Sequence, residues 1–411
     1  MSTSPDLVPA HALDAADPLA AHRDRFVGAE QPLVYLDGNS LGRPLRVTGE
    51  RLRSFVDEEW GGRLIRGWGD VGEGGWMDLP LTLGDRIART CLGAAPGQVV
   101  VGDSTTVNLY KLLHAAAALR PGRTEVVLSA DDFPTDRYVA ESVARERGLH
   151  LVWIEPAEPT TGVTDDEVAA VVGEQTAVVL LSHVAYRSAA IAPLAAVAEV
   201  AHEVGALVLA DLSHSVGVLP VQLDRTGVDL AVGCTYKFLN GGPGAPALAY
   251  VAARHHAGLA QPVTGWMGHT DPFAMGPGYE PAPGVRRLVA GTPSVLSMQP
   301  VADMLDLLDE VGIEAVRAKS VALTTFAADA GRRLLPDARL GSPADPERRG
   351  GHVTLLHPRM REVVAGLWQR EVLPDYRDPG GLRLGLSPLS TSFAEVEAGI
   401  SAAAEVLAGL A

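Results

Sequence analysis

The chain has 411 residues, 47% hydrophobic and 20% charged, which places it among globular proteins and outside the disordered range. A formal net charge of −16 argues against nucleic acid or an anionic membrane as partner, because either needs a basic surface. The two cysteines, Cys91 and Cys234, lie far apart with no zinc or disulfide spacing, so no metal site and a reduced setting are expected.

The segment from Met1 to Phe26 is acidic and has no basic start leading into an apolar stretch, unlike a secretory signal. Longer apolar stretches are broken, as at Arg187 and Pro193, before they reach the roughly 18 residues that span a bilayer. A cytoplasmic protein is therefore expected. Its length fits a large domain with a smaller one.

In chain order, residues 1–50 form an N-terminal segment expected to join the smaller domain. Residues 51–294 form the larger one. Within it Val99–Val101, Glu125–Leu128, Leu151–Ile154, Ala177–Leu181, Ala206–Ala210 and Leu230–Gly233 read as buried strands. Helical patterns at Thr106–Leu119, Thr135–Arg147, Asp165–Gly173 and Leu194–Val204 alternate with them. Strands that are apolar throughout and joined by helices imply an α/β fold with a mostly parallel central sheet covered on both faces. Ligands bind such sheets at the carboxyl ends of the strands. Residues 295–411 read as a smaller α+β domain. It is expected to hold a helix from Val301 to about Leu335, strands at His352–Leu356 and Leu382–Leu386, and a helix at Phe393–Leu410.

The chemistry concentrates between Ala206 and Gly244. One apolar strand ends in Asp211 and another segment ends in Thr235-Tyr236-Lys237, 26 positions on, before a Gly-rich turn. That spacing leaves room for one crossover, so both side chains emerge at the same sheet edge. A lysine that condenses with an aldehyde, beside a carboxylate that keeps a pyridine nitrogen protonated, suits pyridoxal phosphate (PLP). A solvated lysine and a helix-capping aspartate are the plain alternative for either residue alone. The turn Gly241-Gly242-Pro243-Gly244 follows a lysine and has Pro where a helix should begin, so it is not a dinucleotide fingerprint.

Arg383 sits in the alternating run Leu382-Arg383-Leu384-Gly385-Leu386, flanked by residues that bury its strand. A buried arginine needs a partner, and its fork suits a substrate carboxylate. Arg377, in a polar turn, reads as solvated.

Asp211-Leu212-Ser213-His214 and Tyr236-Lys237-Phe238-Leu239-Asn240-Gly241-Gly242-Pro243-Gly244 resemble the cofactor region of the kynureninase family, within the fold-type I PLP enzymes. Tyr35-Leu36-Asp37-Gly38-Asn39-Ser40-Leu41-Gly42, Leu64-Ile65-Arg66-Gly67-Trp68 with Trp76, Phe133-Pro134-Thr135-Asp136, Gly265-Trp266-Met267-Gly268-His269 and Gly291-Thr292-Pro293 are similar to further family segments, in the same order. The pattern is nearer the bacterial than the animal branch.

The resemblance implies roles. Lys237 would carry the cofactor, with Asp211 and His214 on its floor, Phe133 against the ring and Asp136 near its polar edge. Thr105 and Thr106, opening a helix, would receive the phosphate together with Tyr236, which would also act as an acid. Trp266 and Thr292 would reach the phosphate from a neighbouring subunit, implying a homodimer. Asn39, Ser40, Trp68 and Arg383 would face the substrate. Taken singly, Thr106 also reads as a helix cap, Phe133 as core and Trp266 as interface packing.

The sequence departs from the family at His183-Val184-Ala185-Tyr186-Arg187-Ser188-Ala189-Ala190, where Asn or Asp before the Tyr and Gly after the Ser or Thr are common. It departs again at Ser390, where Tyr is usual. The implied activity is hydrolytic Cβ–Cγ cleavage of L-kynurenine, 3-hydroxykynurenine or a ring-substituted relative, with the aryl end of the pocket open to change. Rival readings are another fold-type I activity, such as a β-lyase or aminotransferase of a secondary pathway, and a PLP-binding scaffold. A desulfurase would need a mobile cysteine, and none follows Cys234.

Overall fold

The computed structural model describes residues 8–69 and 75–410. Residues 1–7 of the expected N-terminal segment, 70–74 between Trp68 and Trp76, and Ala411 lie outside the described residues.

A seven-stranded sheet forms the centre: β1 (Val99–Gly102), β2 (Glu125–Ser129), β3 (His150–Ile154), β4 (Thr176–Ser182), β5 (Leu207–Asp211), β6 (Leu230–Gly233) and β7 (Ala247–Val251), in spatial order β1-β7-β6-β5-β4-β2-β3. Adjacent strands from β6 to β3 pair in parallel, so the expected mostly parallel sheet is present. The sequence reading did not include β7, which runs antiparallel to both β6 and β1. The Gly-rich turn sends the chain straight back after β6 with no helix between, and only an antiparallel partner can be reached that way.

Burial on both faces explains the unbroken apolar runs. Val127, Val179 and Val208 point to one core with α3 (Leu194–Glu203). Their neighbours Val126, Val178 and Leu207 point to the other, with α1 (Thr105–Leu119) and α2 (Pro134–Arg147). Each such side chain contributes about 1.5–3 kcal/mol on burial. The helix expected at Asp165–Gly173 is shorter, Asp165–Ala169, with Thr164 and Glu167 forming a capping box.

The single helix expected from Val301 to Leu335 is instead two, α4 (Val295–Val311) and α5 (Ile313–Leu334), separated by Gly312 at φ +84°. The two helices serve different cores. Met298, Val301 and Met304 of α4 pack with Leu83 and Ile87 beside the large sheet. Leu323, Phe326 and Ala330 of α5 pack with Val353, Leu384 and Ile400.

The smaller sheet, β8 (Arg339–Leu340), β9 (His352–Leu356), β10 (Asp375–Arg377) and β11 (Gly381–Gly385), has order β10-β11-β9-β8 and is backed by α5 and α6 (Phe393–Gly409). The N-terminal segment joins it: Val34–Tyr35 pairs with Val372–Leu373, and Gly385 N–H donates to the Leu36 carbonyl at 2.7 Å. Among the described residues no helix is long and apolar enough to cross a membrane.

Candidate active site

The parallel strands bring their carboxyl ends to one edge. Asp211 is the last residue of β5, in register with Ser182 at the end of β4. Its Oδ1 accepts from the Ser213 N–H at 2.8 Å and the Ser213 hydroxyl at 2.6 Å, which fixes the carboxylate. Lys237 follows β6 in a tight turn closed by Asn240 N–H to the Lys237 carbonyl (3.0 Å) and Gly241 N–H to the Thr235 carbonyl (2.9 Å). Its Nζ lies 3.2 Å from His214 Nε2. Burial and the Lys237 charge hold His214 well below the usual histidine range, so the imidazole is neutral and its Nε2 can accept from Lys237 Nζ.

These groups open into a cavity of about 210 Å³. Thr105, Thr106, Phe133 and Asp136 line it beside Asp211, His214, Tyr236 and Lys237, with Asn39, Ser40 and Arg383 on another wall. Eleven of the fourteen residues expected from the sequence therefore meet in one place. Burial, then the neighbouring Asp211, pushes Asp136 well above the ordinary carboxylate range. Burial, then Cys234, raises the Tyr236 phenol as well, leaving it a hydrogen-bond donor at neutral pH.

The donor set fits pyridoxal phosphate. Helix α1 begins at Thr105, capped by the Ser104 hydroxyl, and points its first N–H groups at this edge. The cap is thus Ser104, and not Thr106. Thr105 Oγ1 is buried and has no partner among the described residues, an orphan that an incoming phosphate oxygen would satisfy. Phe133, 37% exposed, stands edge-on to Tyr186 with ring centroids 5.4 Å apart and leaves a face for a flat ring.

The N-terminal segment is pinned across the lysine turn. Gly42 N–H donates to the Tyr236 carbonyl at 2.9 Å, and Asn240 Nδ2 donates to the Arg43 carbonyl at 2.6 Å. A Cβ at Gly42 would run into the Lys237 carbonyl, which explains the glycine. Asn39 and Ser40 are thereby delivered beside Arg383. The Arg383 guanidinium donates to the Tyr186 carbonyl (2.8 Å), the Ser40 hydroxyl (2.9 Å) and Asp375. With the Asn39 amide in the orientation that satisfies both its ends, its oxygen accepts from Arg383 Nε at 3.2 Å and its nitrogen donates to Asp37 Oδ1 at 3.1 Å.

Three expected residues lie outside the cavity. Trp68 packs edge-on to Trp76, centroids 5.3 Å apart, beside Phe55 and Val295. Trp266 is 39% exposed and rests on Phe273. Thr292 lines a second cavity of about 470 Å³ that shares Thr105, Thr106 and Tyr236 with the first.

Arg377 is a correction. It belongs to β10, pairs with Asp375 at 2.7 Å and lines the cavity. The alternation Asp375-Tyr376-Arg377 carried the signal, because residues two apart share a strand face. Thr135, Ser182, Tyr186 and Ser213 also line the cavity. Of the family departures, Ala189 holds φ +64°, tied by its N–H to the Ala185 carbonyl at 2.8 Å. This left-handed backbone explains why glycine suits the position. Ser390 is buried beside Leu389 and does not line the cavity.

The Kynureninase C-terminal domain model matches residues 316–403, and the DegT/DnrJ/EryC1/StrS aminotransferase family model matches 93–227. A kynureninase of Deinococcus radiodurans is 43% identical over 98% of this chain and 96% of its own length, and one of Pseudomonas fluorescens is 40% identical over 96% and 94%. The chain belongs to the kynureninase family. Among solved structures, a C-DES mutant with glycine covalently linked to its PLP cofactor aligns with TM-score 0.82 at 19% identity, covering 93% of this chain and 99% of that one. A cysteine desulfurase from Thermococcus onnurineus aligns at 0.80 and 16%, covering 95% and 98%. These likenesses place the family's fold among the fold-type I PLP enzymes.

Proposed function

We propose that the chain is a PLP-dependent hydrolase that cleaves the Cβ–Cγ bond of L-kynurenine, or of a 3-hydroxy or ring-substituted relative, to give an anthranilate and L-alanine. The observation that carries this reading is the meeting of Lys237, Asp211 and Arg383 around one cavity, in a chain whose relatives are kynureninases over nearly their full length.

When bound, PLP supplies an aldehyde for amines and a pyridinium ring that draws electrons from the substrate. Thr105, Thr106 and the start of α1 hold the phosphate, with the Tyr236 phenol as a further donor. Asp211, fixed by Ser213, would hold a proton on the ring nitrogen. Phe133 would cover the ring, and Asp136 would lie near its polar edge. Arg383 orients the substrate carboxylate, with Asn39 and Ser40 beside it. Lys237 Nζ would anchor the cofactor and would serve as the base for the substrate Cα proton. Neutral His214 accepts from Lys237 and keeps the amine directed into the cavity. Water adds at the γ-carbonyl, and its oxygen leaves in the anthranilate carboxylate. Tyr236, which lines the cavity, would serve as an acid in the reaction.

We further propose a homodimer in which Trp266 and Thr292 approach the phosphate of the partner's site. The exposed Trp266, Phe273 and Met275, and the opening of the second cavity beside Thr105, support this. The proposed setting is cytoplasmic, in keeping with two free, buried cysteines.

The aminotransferase family match over 93–227 favours a second reading, transamination of an amino acid. Desulfuration has less support, since Cys91 and Cys234 are 2% and 1% exposed and it needs a reachable thiol. Mixing the PLP-loaded protein with L-kynurenine, and separately with 3-hydroxykynurenine, tests the proposal. Fluorescent anthranilate, or absorbance of the hydroxylated product, with equimolar alanine is expected. Pyridoxamine phosphate with a keto acid would replace it by the second reading.

A further inference from the structure

We propose that Arg377 is a second anchor for the substrate carboxylate, acting beside Arg383 in the same cavity. This rests on the reading above that an amino-acid carboxylate binds at Arg383.

Arg383 by itself is poorly supplied to receive an anion. It is 1% exposed, and its donors already reach the Tyr186 carbonyl, Ser40, Asn39 and Asp375. Asp375 also offsets its charge, with Asp37 a further 4.0 Å away. A carboxylate meeting Arg383 and Asp375 alone would find no excess of positive charge.

Arg377 brings a second positive charge to this wall, against the two carboxylates Asp375 and Asp37. Its Nη2 is 2.7 Å from Asp375 Oδ2, the same oxygen that Arg383 engages, so one carboxylate is shared by two guanidinium groups. The register makes this possible: Asp375 lies opposite Arg383 across β10 and β11, and Arg377 sits two residues on, on the same face. Both arginines line the cavity. Arg377 Nε is buried and has no partner among the described residues. An unpaired buried donor is costly, and an incoming carboxylate is the acceptor this wall lacks.

The experiment compares L-alanine with L-alaninamide, which lacks the carboxylate, as ligands of the PLP-loaded enzyme. Binding is followed by the absorbance change of the bound cofactor. Arg377→Gln should weaken L-alanine roughly tenfold or more while leaving L-alaninamide within about twofold, and Arg377→Lys should restore part of the loss. KM for the amino-acid substrate should rise with the L-alanine constant while kcat holds. An unchanged L-alanine affinity, or equal weakening of both ligands, would overturn the assignment. Turnover of L-kynurenine by the unaltered enzyme judges the underlying reading separately, because the paired titration is independent of which bond is cleaved.

Discussion

Lys237, Asp211 and His214 reach the cavity from one short stretch of chain at the ends of the adjacent strands β5 and β6 and just beyond them, whereas Ser40 and Arg383, which touch across it, are 343 positions apart. The floor is held by a parallel ladder buried on both faces and by the Ser213 bonds to Asp211. The opposite wall exists only because the N-terminal segment crosses the lysine turn and meets β11. A floor built within one ladder keeps reactive groups in fixed register. A wall assembled from separate segments can be tuned by single side chains without disturbing it. Changes to the floor should therefore strike the chemical step, and changes to the wall should strike binding.

The largest effect is expected at Lys237. Lys237→Ala should lower turnover by roughly 10⁴-fold or more and abolish the visible absorbance of the lysine-bound cofactor. Retained turnover would remove Lys237 from the chemistry and dissolve the contrast. On the wall, Arg383→Leu should raise KM by about 100-fold with a much smaller change in kcat. Steady-state kinetics decide this, and an unchanged KM would move the carboxylate site elsewhere. The smallest effect is expected at Trp266, which belongs to neither region. Trp266→Ala should raise the concentration at which the dimer half-dissociates by roughly tenfold, read by sedimentation. A dimer of undiminished strength would take Trp266 out of the subunit contact.

The floor was legible because its residues announce themselves in contiguous order: strand, Asp211, His214, strand, Tyr236-Lys237, glycine turn. Unbroken apolar runs likewise revealed the parallel sheet. The helix break at Gly312 was hidden, because an apolar pattern continues through α4 and α5 although the two faces serve different cores. Arg377 was hidden for a related reason. A short, half-buried strand such as β10 looks like a polar turn until its partner β11 is beside it.

Local order in the sequence was enough to determine the strand-end aspartate and the lysine just beyond the next strand, a helix opening beside Thr105 and Thr106, and the α/β layering, since each depends on hydrophobic period and on chemistry within a few residues. Tertiary structure alone decided that β7 runs antiparallel, that Gly42 lies against the Lys237 turn, and that Asp375 is shared by Arg377 and Arg383. Those outcomes depend on which distant segments come into contact. Contact across hundreds of residues is set by the packing of whole cores and leaves no periodic trace in the chain.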